Sequence, residues 1–336
     1  MGASKPRSKI LAFIFNAFIP GMGYFYVGHV KKSFLFLPFL ALIHYSFISL
    51  FVYYVNPMLA IAHFMTILIL YIFSLYHVIK IIRENNVQTF KINHWFITLI
   101  IFIPFDYILQ LSITKFFDIR TFRLPVSSMS STINKGDFLV AKKTKNILRG
   151  NVFIFEYPND PSIYFVKRYA ASENDEIIYY HKSLFIHFSE GDTYIQSNYP
   201  SESIIKLSNK LWVINPYMND NKGIHYAEKE MNVFELLLSY AENNQSIGMT
   251  PKYIDGLESP VYQLHNNKMN AFYTKVQAGT IFMLGDNREN SNDSRIWGAL
   301  PISAIYAEPK VIYFNFTNNF KIDWSRIGIK INKNSI

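Results

Sequence analysis

Apolar residues crowd into the first third of the chain. The runs Ser33 to Val55, Met58 to Ile79 and Trp95 to Phe117 are each long enough to cross a hydrocarbon core about 30 Å thick as helices, and no comparable run appears after Asp118. An earlier apolar stretch, Ile10 to Val27, is interrupted by FIPGMGYFYVG, where a proline and three glycines break the pattern. Lys5, Arg7 and Lys9 precede it and Lys31 and Lys32 follow it, so both ends read as cytoplasmic. That pattern predicts a re-entrant or interfacial hairpin near residues 10–30 rather than a span. No small-residue cleavage site follows it and further spans do, which argues against a removable secretory signal.

Counting onward sets an expected topology. The chain leaves through 33–55, turns at Asn56-Pro57, and returns through 58–79 to a second basic loop with Lys80, Arg83 and Lys91. The 95–117 span, with Trp95 and Tyr107 as interface anchors, then delivers everything from Asp118 to the outer face. Residues 1–117 are thus read as an α-helical transmembrane region with three spans, and 118–336 as an extracytoplasmic domain.

In that second region the pattern changes period. FLVAKKTK, NVFIFEYP and SIYFVKRYAA are short apolar or alternating runs bounded by turn residues, the mark of strands. KEMNVFELLLSYAENN, around 230–244, is the one good helix. The fold class expected is a membrane-anchored chain, an N-terminal α-helical transmembrane region followed by a mostly β domain.

Composition narrows the function less than pattern does. The 336 residues allow two or three folding units, and the absence of cysteine suits an extracytoplasmic domain stabilised by its core alone, as it suits many cytosolic proteins. The net charge of +9 comes from scattered Lys and Arg, much of it at membrane flanks, with no basic module, so nucleic acid is not an expected partner. The nine histidines show no metal-binding spacing. His44 and His63 lie inside predicted spans, where a helix–helix hydrogen bond accounts for them more simply than a proton path.

Three polar features carry candidate chemistry. LPVSSMSSTINKGD at 124–137 is either a serine-rich turn or the seat of a nucleophile. In YFVKRY, strand alternation places Phe165, Lys167 and Tyr169 on one face, so Lys167 is either an edge lysine lying across aromatic rings or one desolvated enough to act as a base near neutral pH. GDNRENSNDSRIWG at 285–298 suits a turn network with ion pairs of the kind Asp293 with Arg295 or Asp286 with Arg288.

Together these stretches resemble the bacterial type I signal peptidases. PVSSMSSTI at 125–133 is similar to the box in which the serine before a methionine is the nucleophile, here Ser128 before Met129. RGNVFIF at 149–155 resembles the next strand box, and Lys167 followed by Arg168 the box of the general base. GDNRENSNDSRIWG resembles the family's most specific motif, and WSRIG at 324–328 its closing strand. The resemblance implies a signal-peptidase-like β fold and a serine–lysine dyad without cofactor or metal. In it Ser291 orients the lysine amine, Asp293 and Arg295 form a supporting ion pair with Asp286 nearby, and the oxyanion is held by the Ser128 N–H and a hydroxyl two positions earlier. That position is Val126, which has none.

Other departures are Ser131 for proline, Asn151 and Glu289 for aspartates, and AASEND where a Gly-Pro-Gly-Asp turn is usual. The activity implied is removal of signal peptides with small residues before the cut from exported preproteins, at the lipid surface of the bacterial inner membrane. The segment 176–284 reads as a β insertion without catalytic residues. A catalytically weak or inactive paralogue that only binds signal peptides is the alternative, and a soluble self-cleaving repressor is disfavoured by the spans.

Overall fold

The computed structural model describes residues 8–54, 57–84, 100, 104, 107–108, 111–112, 115, 118–217, 232–258, 260–316 and 321–332. Lys91, Trp95 and most of the 95–117 run lie outside the described residues. The chain forms two compact units, one within residues 1–120 and one within 121–335.

In the first unit, α1 (Lys9–Phe18) and α2 (Met22–Tyr26) flank the Pro20-Gly21 break, followed by α3 (Val30–Tyr54) and α4 (Pro57–Arg83). The break is held by buried Asn16, whose Oδ1 accepts from Gly21 N (2.9 Å) and Gly23 N (3.2 Å) and whose Nδ2 donates to Ser74 Oγ on α4 (2.8 Å). Gly23 permits this approach, because a Cβ there would lie 2.6 Å from Asn16 Cβ. The first apolar stretch is therefore a broken helix folded against α4. His44 Nδ1 and His63 Nε2 are 2.9 Å apart, a hydrogen bond between α3 and α4. Among the described residues one helical segment, Ile61–Arg83, is long and apolar enough to cross a membrane, with mean hydropathy 2.0.

The second unit is mostly β. Its strands are β1 (Ile119–Arg123), β2 (Asp137–Lys142), β3 (Val152–Tyr157), β4 (Asp160–Ala171), β5 (Glu176–Tyr180), β6 (Ser183–His187), β7 (Ile204–Leu207), β8 (Lys210–Ile214), β9 (Thr250–Lys252), β10 (Tyr262–Leu264), β11 (Asn267–Met269), β12 (Ala271–Lys275), β13 (Thr280–Leu284), β14 (Leu300–Pro301) and β15 (Ile305–Asn315). A seven-stranded sheet runs β1-β2-β15-β3-β4-β13-β14, and a six-stranded sheet, β7-β8-β6-β5-β12-β9, is built from the segment between β4 and β13. Helices α5 (Asp192–Asn198), α6 (Val233–Glu242) and α7 (Ser294–Trp297) are short, and α6 coincides with the sequence-predicted helix.

Alternation along β4 separates two cores. Val166 packs with Leu139, Val152, Ile154 and Ile312 on one face, whereas Tyr169 and Phe165 pack with Phe153, Phe155, Ile281 and Met283 on the other. The 168–171 end of β4 pairs with β13, but among the described residues β3 alone pairs with residues 164–167, which leaves the opposite edge of that half without a described strand.

WSRIG differs from expectation. Residues Trp324–Arg326 form a 3-10 turn instead of a strand, because Asp323 caps it through Ser325 N (3.0 Å) and Arg326 turns inward to pair with Asp137. Beyond it the chain regains contact with β15, through Gly328 N to Ile312 O (2.8 Å) and Ile312 N to Ile329 O (3.0 Å).

Candidate active site

Serine-rich loops are mobile when nothing satisfies their backbone; here the 285–298 loop does so for 124–137. Asn287 N donates to Ser128 O (3.1 Å), Asn287 Nδ2 to Ser127 O (3.2 Å) and Asn290 Nδ2 to Ser127 Oγ (2.8 Å). Met129, fully buried, anchors the loop in the core beside Leu124 and Ile133. Ser128, so pinned, is 8% exposed.

Lys167 comes to Ser128 from β4, with 2.7 Å between Nζ and Oγ. Its Nζ also lies 5.3 Å from the ring centre of Phe165 on the same strand face. Burial pushes the Lys167 pKa down to about 8, against the pull of Asp293 and Asp286, which favour its charge, and with a smaller push from Arg295. A lysine in this state has a neutral fraction of about a tenth at pH 7. Its lone pair can then accept the serine proton along the line of the existing hydrogen bond.

Two buried ion pairs hold the loop that faces Ser128 and Lys167. Arg168, on the face of β4 opposite Lys167, makes a fork to Asp286 (Nε–Oδ1 2.8 Å, Nη2–Oδ2 2.6 Å) and donates to Gly150 O (2.6 Å), while Thr132 Oγ1 donates to Asp286 Oδ2 (2.6 Å). The partner of Asp286 is therefore Arg168 and not Arg288, whose Nε bonds Gly285 O (3.1 Å). Asp293 and Arg295 form the second fork (2.9 and 3.0 Å), with both side chains fully buried. Burial alone would raise the Asp293 pKa; the Arg295 guanidinium and the Gly285 N–H bring it below the ordinary carboxylate value.

Ser291 Oγ, also buried, lines the same cleft but makes no hydrogen bond to Lys167. Gly285 packs between Ser291 and the Ser128 carbonyl, with no room for a side chain. Val126 is 53% exposed at the cleft wall. The cleft, about 590 Å³, runs between residues 122–128 and 163–167, with Asn290, Ser291 and Asn292 at one side. Among the described residues no cluster of three metal-binding side chains occurs.

The family model for signal peptidase, peptidase S26, matches residues 92–314, two thirds of the chain, and so includes Ser128, Lys167 and the 285–298 loop. The chain belongs to that family. As an S26 peptidase it is a serine hydrolase of the signal peptidase class. It is 29% identical over 242 residues to signal peptidase I of Helicobacter pylori (strain ATCC 700392 / 26695), an alignment covering 62% of this chain and 80% of the relative. To signal peptidase I of Buchnera aphidicola subsp. Acyrthosiphon pisum it is 26% identical over 294 residues, covering 76% and 87%. A solved signal peptidase I from Enterococcus faecalis superposes with a TM-score of 0.23 at 18% identity, over 49% of this chain and 98% of that one, a likeness too slight to bear on the fold.

Sequence reasoning on this S26 peptidase missed the residues that act by holding others. Asn287 and Asn290, inside a motif already singled out, bind the serine loop across more than 150 positions. Glu289 accepts from Tyr179 OH (2.9 Å) and from Val233 N (3.3 Å) at the start of α6, tying the 285–298 loop to the inserted sheet. Tyr179 in turn carries Arg295 over its ring at 4.8 Å. Polar loop residues gave the signal that something was held there, but partners so distant in sequence are visible only after folding.

Proposed function

We propose that this chain is a membrane-bound serine endopeptidase that removes signal peptides from exported preproteins with a Ser128–Lys167 dyad. The observation that carries the reading is the 2.7 Å contact between a nearly buried serine and a buried lysine whose pKa is pushed down to about 8. Ser128 Oγ bonds to the scissile carbonyl carbon as its proton passes to neutral Lys167 Nζ and the carbonyl π pair moves to oxygen. The tetrahedral intermediate collapses, the C–N bond breaks, and Lys167 returns the proton to the leaving amine. Water, deprotonated by the same lysine, then releases the acyl group and restores Ser128.

The unpaired edge of β4 beside Lys167 supports a matching mode of substrate binding. An extended peptide can hydrogen-bond to that edge and bring one carbonyl to Ser128 Oγ. The Ser128 N–H, which has no acceptor among the described residues, is the donor for the developing oxyanion. On this reading Asp286–Arg168 and Asp293–Arg295 hold the loop rigid, Ser291 borders the amine, and residues 118–336 lie on the outer face of the inner membrane. Residues 1–117 form its multi-pass anchor. Substrates carry small residues before the cut, and no cofactor takes part.

The test is incubation of the purified protein in detergent with a model preprotein, alongside Ser128→Ala. Cleavage by the wild type and none by the variant is expected; equal cleavage by both would remove Ser128 from the mechanism, and none by either would leave the signal-peptide-binding alternative.

A further inference from the structure

One backbone amide leaves an oxyanion hole a donor short, since such holes ordinarily combine two or more fixed donors. Val126 offers no polar side-chain atom. The residue between it and the nucleophile does. We propose that the Ser127 hydroxyl, held by Asn290, is the second oxyanion donor of this peptidase, an inference that rests on Ser128 being the nucleophile.

The hydrogen-bond arrangement around Ser127 favours this role. Asn290 Nδ2 donates to Ser127 Oγ at 2.8 Å, so the hydroxyl is engaged as an acceptor. A hydroxyl has one proton to give besides its lone pairs, and among the described residues Ser127 Oγ takes part in a hydrogen bond only as the acceptor from Asn290. Both Ser127 and Asn290 line the cleft that contains Ser128 and Lys167. The backbone is fixed as well: Ser127 O accepts from Asn287 Nδ2 (3.2 Å) and from Ser130 N (3.0 Å). A donor whose oxygen and backbone are already anchored needs little reorganisation when charge appears, and this preorganisation is what makes such a group effective. A serine in an unsupported loop would have to surrender rotational freedom first.

No proton leaves Ser127 in this scheme. As the Ser128 Oγ–C bond forms, the carbonyl oxygen becomes an alkoxide that accepts hydrogen bonds from Ser128 N–H and Ser127 Oγ–H. Both bonds weaken when the C–N bond breaks and the carbonyl re-forms. Asn290 is a positioning residue, acting through Ser127 alone.

The experiment compares Ser127→Ala, Ser127→Thr, Asn290→Ala and the double variant Ser127→Ala/Asn290→Ala, with Ser128→Ala as reference, in steady-state cleavage of a preprotein peptide. Affinity for a peptide aldehyde, which forms a tetrahedral adduct on the serine, is measured in parallel. Ser127→Ala is expected to lower kcat by about 10²-fold with little change in KM, and to weaken aldehyde binding by a similar factor. Ser127→Thr, which keeps the hydroxyl, restores most of the loss. Asn290→Ala lowers kcat in the wild-type background and has no further effect once Ser127 is alanine.

The proposal is overturned if Ser127→Ala turns over near the wild-type rate, if its defect is confined to KM, or if Ser127→Thr is as impaired as Ser127→Ala. A Ser127→Ala protein with a lowered melting temperature is judged by the threonine variant and the Asn290 cycle, which keep their predictions. Activity in Ser128→Ala would instead refute the nucleophile, so the two failures are distinct.

Discussion

A Cβ added at Gly285 would lie 2.1 Å from Ser291 Oγ, 2.5 Å from Ser291 Cβ and 2.6 Å from the carbonyl oxygen of Ser128. Ordinary contact begins at about 3.5 Å, so Gly285→Ala forces its neighbours back by roughly 1 Å. Rotation of the Ser291 hydroxyl does not relieve this, because two of the three crowded atoms are a Cβ and a main-chain oxygen. The latter is also the acceptor for Asn287 N at 3.1 Å. Overpacking of this kind costs about 1–3 kcal/mol, and the reduced freedom of the unfolded chain returns about 0.4–1 kcal/mol, leaving a net destabilisation of about 1–2 kcal/mol.

Activity should suffer more, since a displacement of about 1 Å at a reacting group can cost about 10²-fold in rate. Gly191→Ala separates the two effects. Gly191 has φ 88° and ψ −178°, and a Cβ there meets nothing within 4 Å, so alanine carries only backbone strain of about 1–3 kcal/mol. Urea unfolding and preprotein cleavage on both variants should give comparable stability losses but a loss of turnover for Gly285→Ala alone. Gly285→Ala with wild-type stability and turnover would show that Ser128 is not held by this contact.

Three further outcomes are expected. Lys167→Arg keeps the cation but cannot become neutral, so cleavage should be abolished; in the wild type, kcat/KM should fall about tenfold per pH unit below about 8, where the lysine is protonated, and a flat profile would refute the base assignment. Asp293→Asn strands the fully buried Arg295 and should cost about 3–5 kcal/mol by urea unfolding. Because the folded pKa of Asp293 lies below its unfolded value, its contribution is complete above about pH 4 and is lost as pH falls through the lower folded value, so the variant should lack that part of the acid transition. Val126→Ser, at an exposed position, should leave stability within about 0.5 kcal/mol and raise kcat more in the Ser127→Ala background than in the wild type.

The parts of this fold legible in the sequence are those encoded by local period. The runs read as strands became β2, β3 and β4, and alternation alone placed Lys167 with Phe165 and opposite Arg168. The choice between a turn and a nucleophile at 124–137 had no local answer, because what fixes Ser127 and Ser128 comes from Asn287 and Asn290. Asp286 looked paired to its neighbour Arg288, yet it bonds Arg168 across 118 positions, since a bidentate fork between packed elements outcompetes a cramped one within a turn. WSRIG carries strand-like residues, but Asp323 and Arg326 redirect it. Glu289, seen only as a longer substitute for aspartate, reaches Tyr179 and the α6 N-terminus.

The order of strands in the larger sheet has a consequence in time. β15, the last strand to be synthesised, lies between β2 and β3, two of the first, and the residues that clamp Ser127 come about 160 positions after it. A growing chain emerges N-terminus first and cannot close those pairings early. Ser128 and Lys167 are thus both present long before the sheet or the clamp that brings them to 2.7 Å can exist. On the proposed mechanism, a nascent copy of the chain carries Ser128 without its base, and cleavage begins only when the end of the domain has joined its beginning.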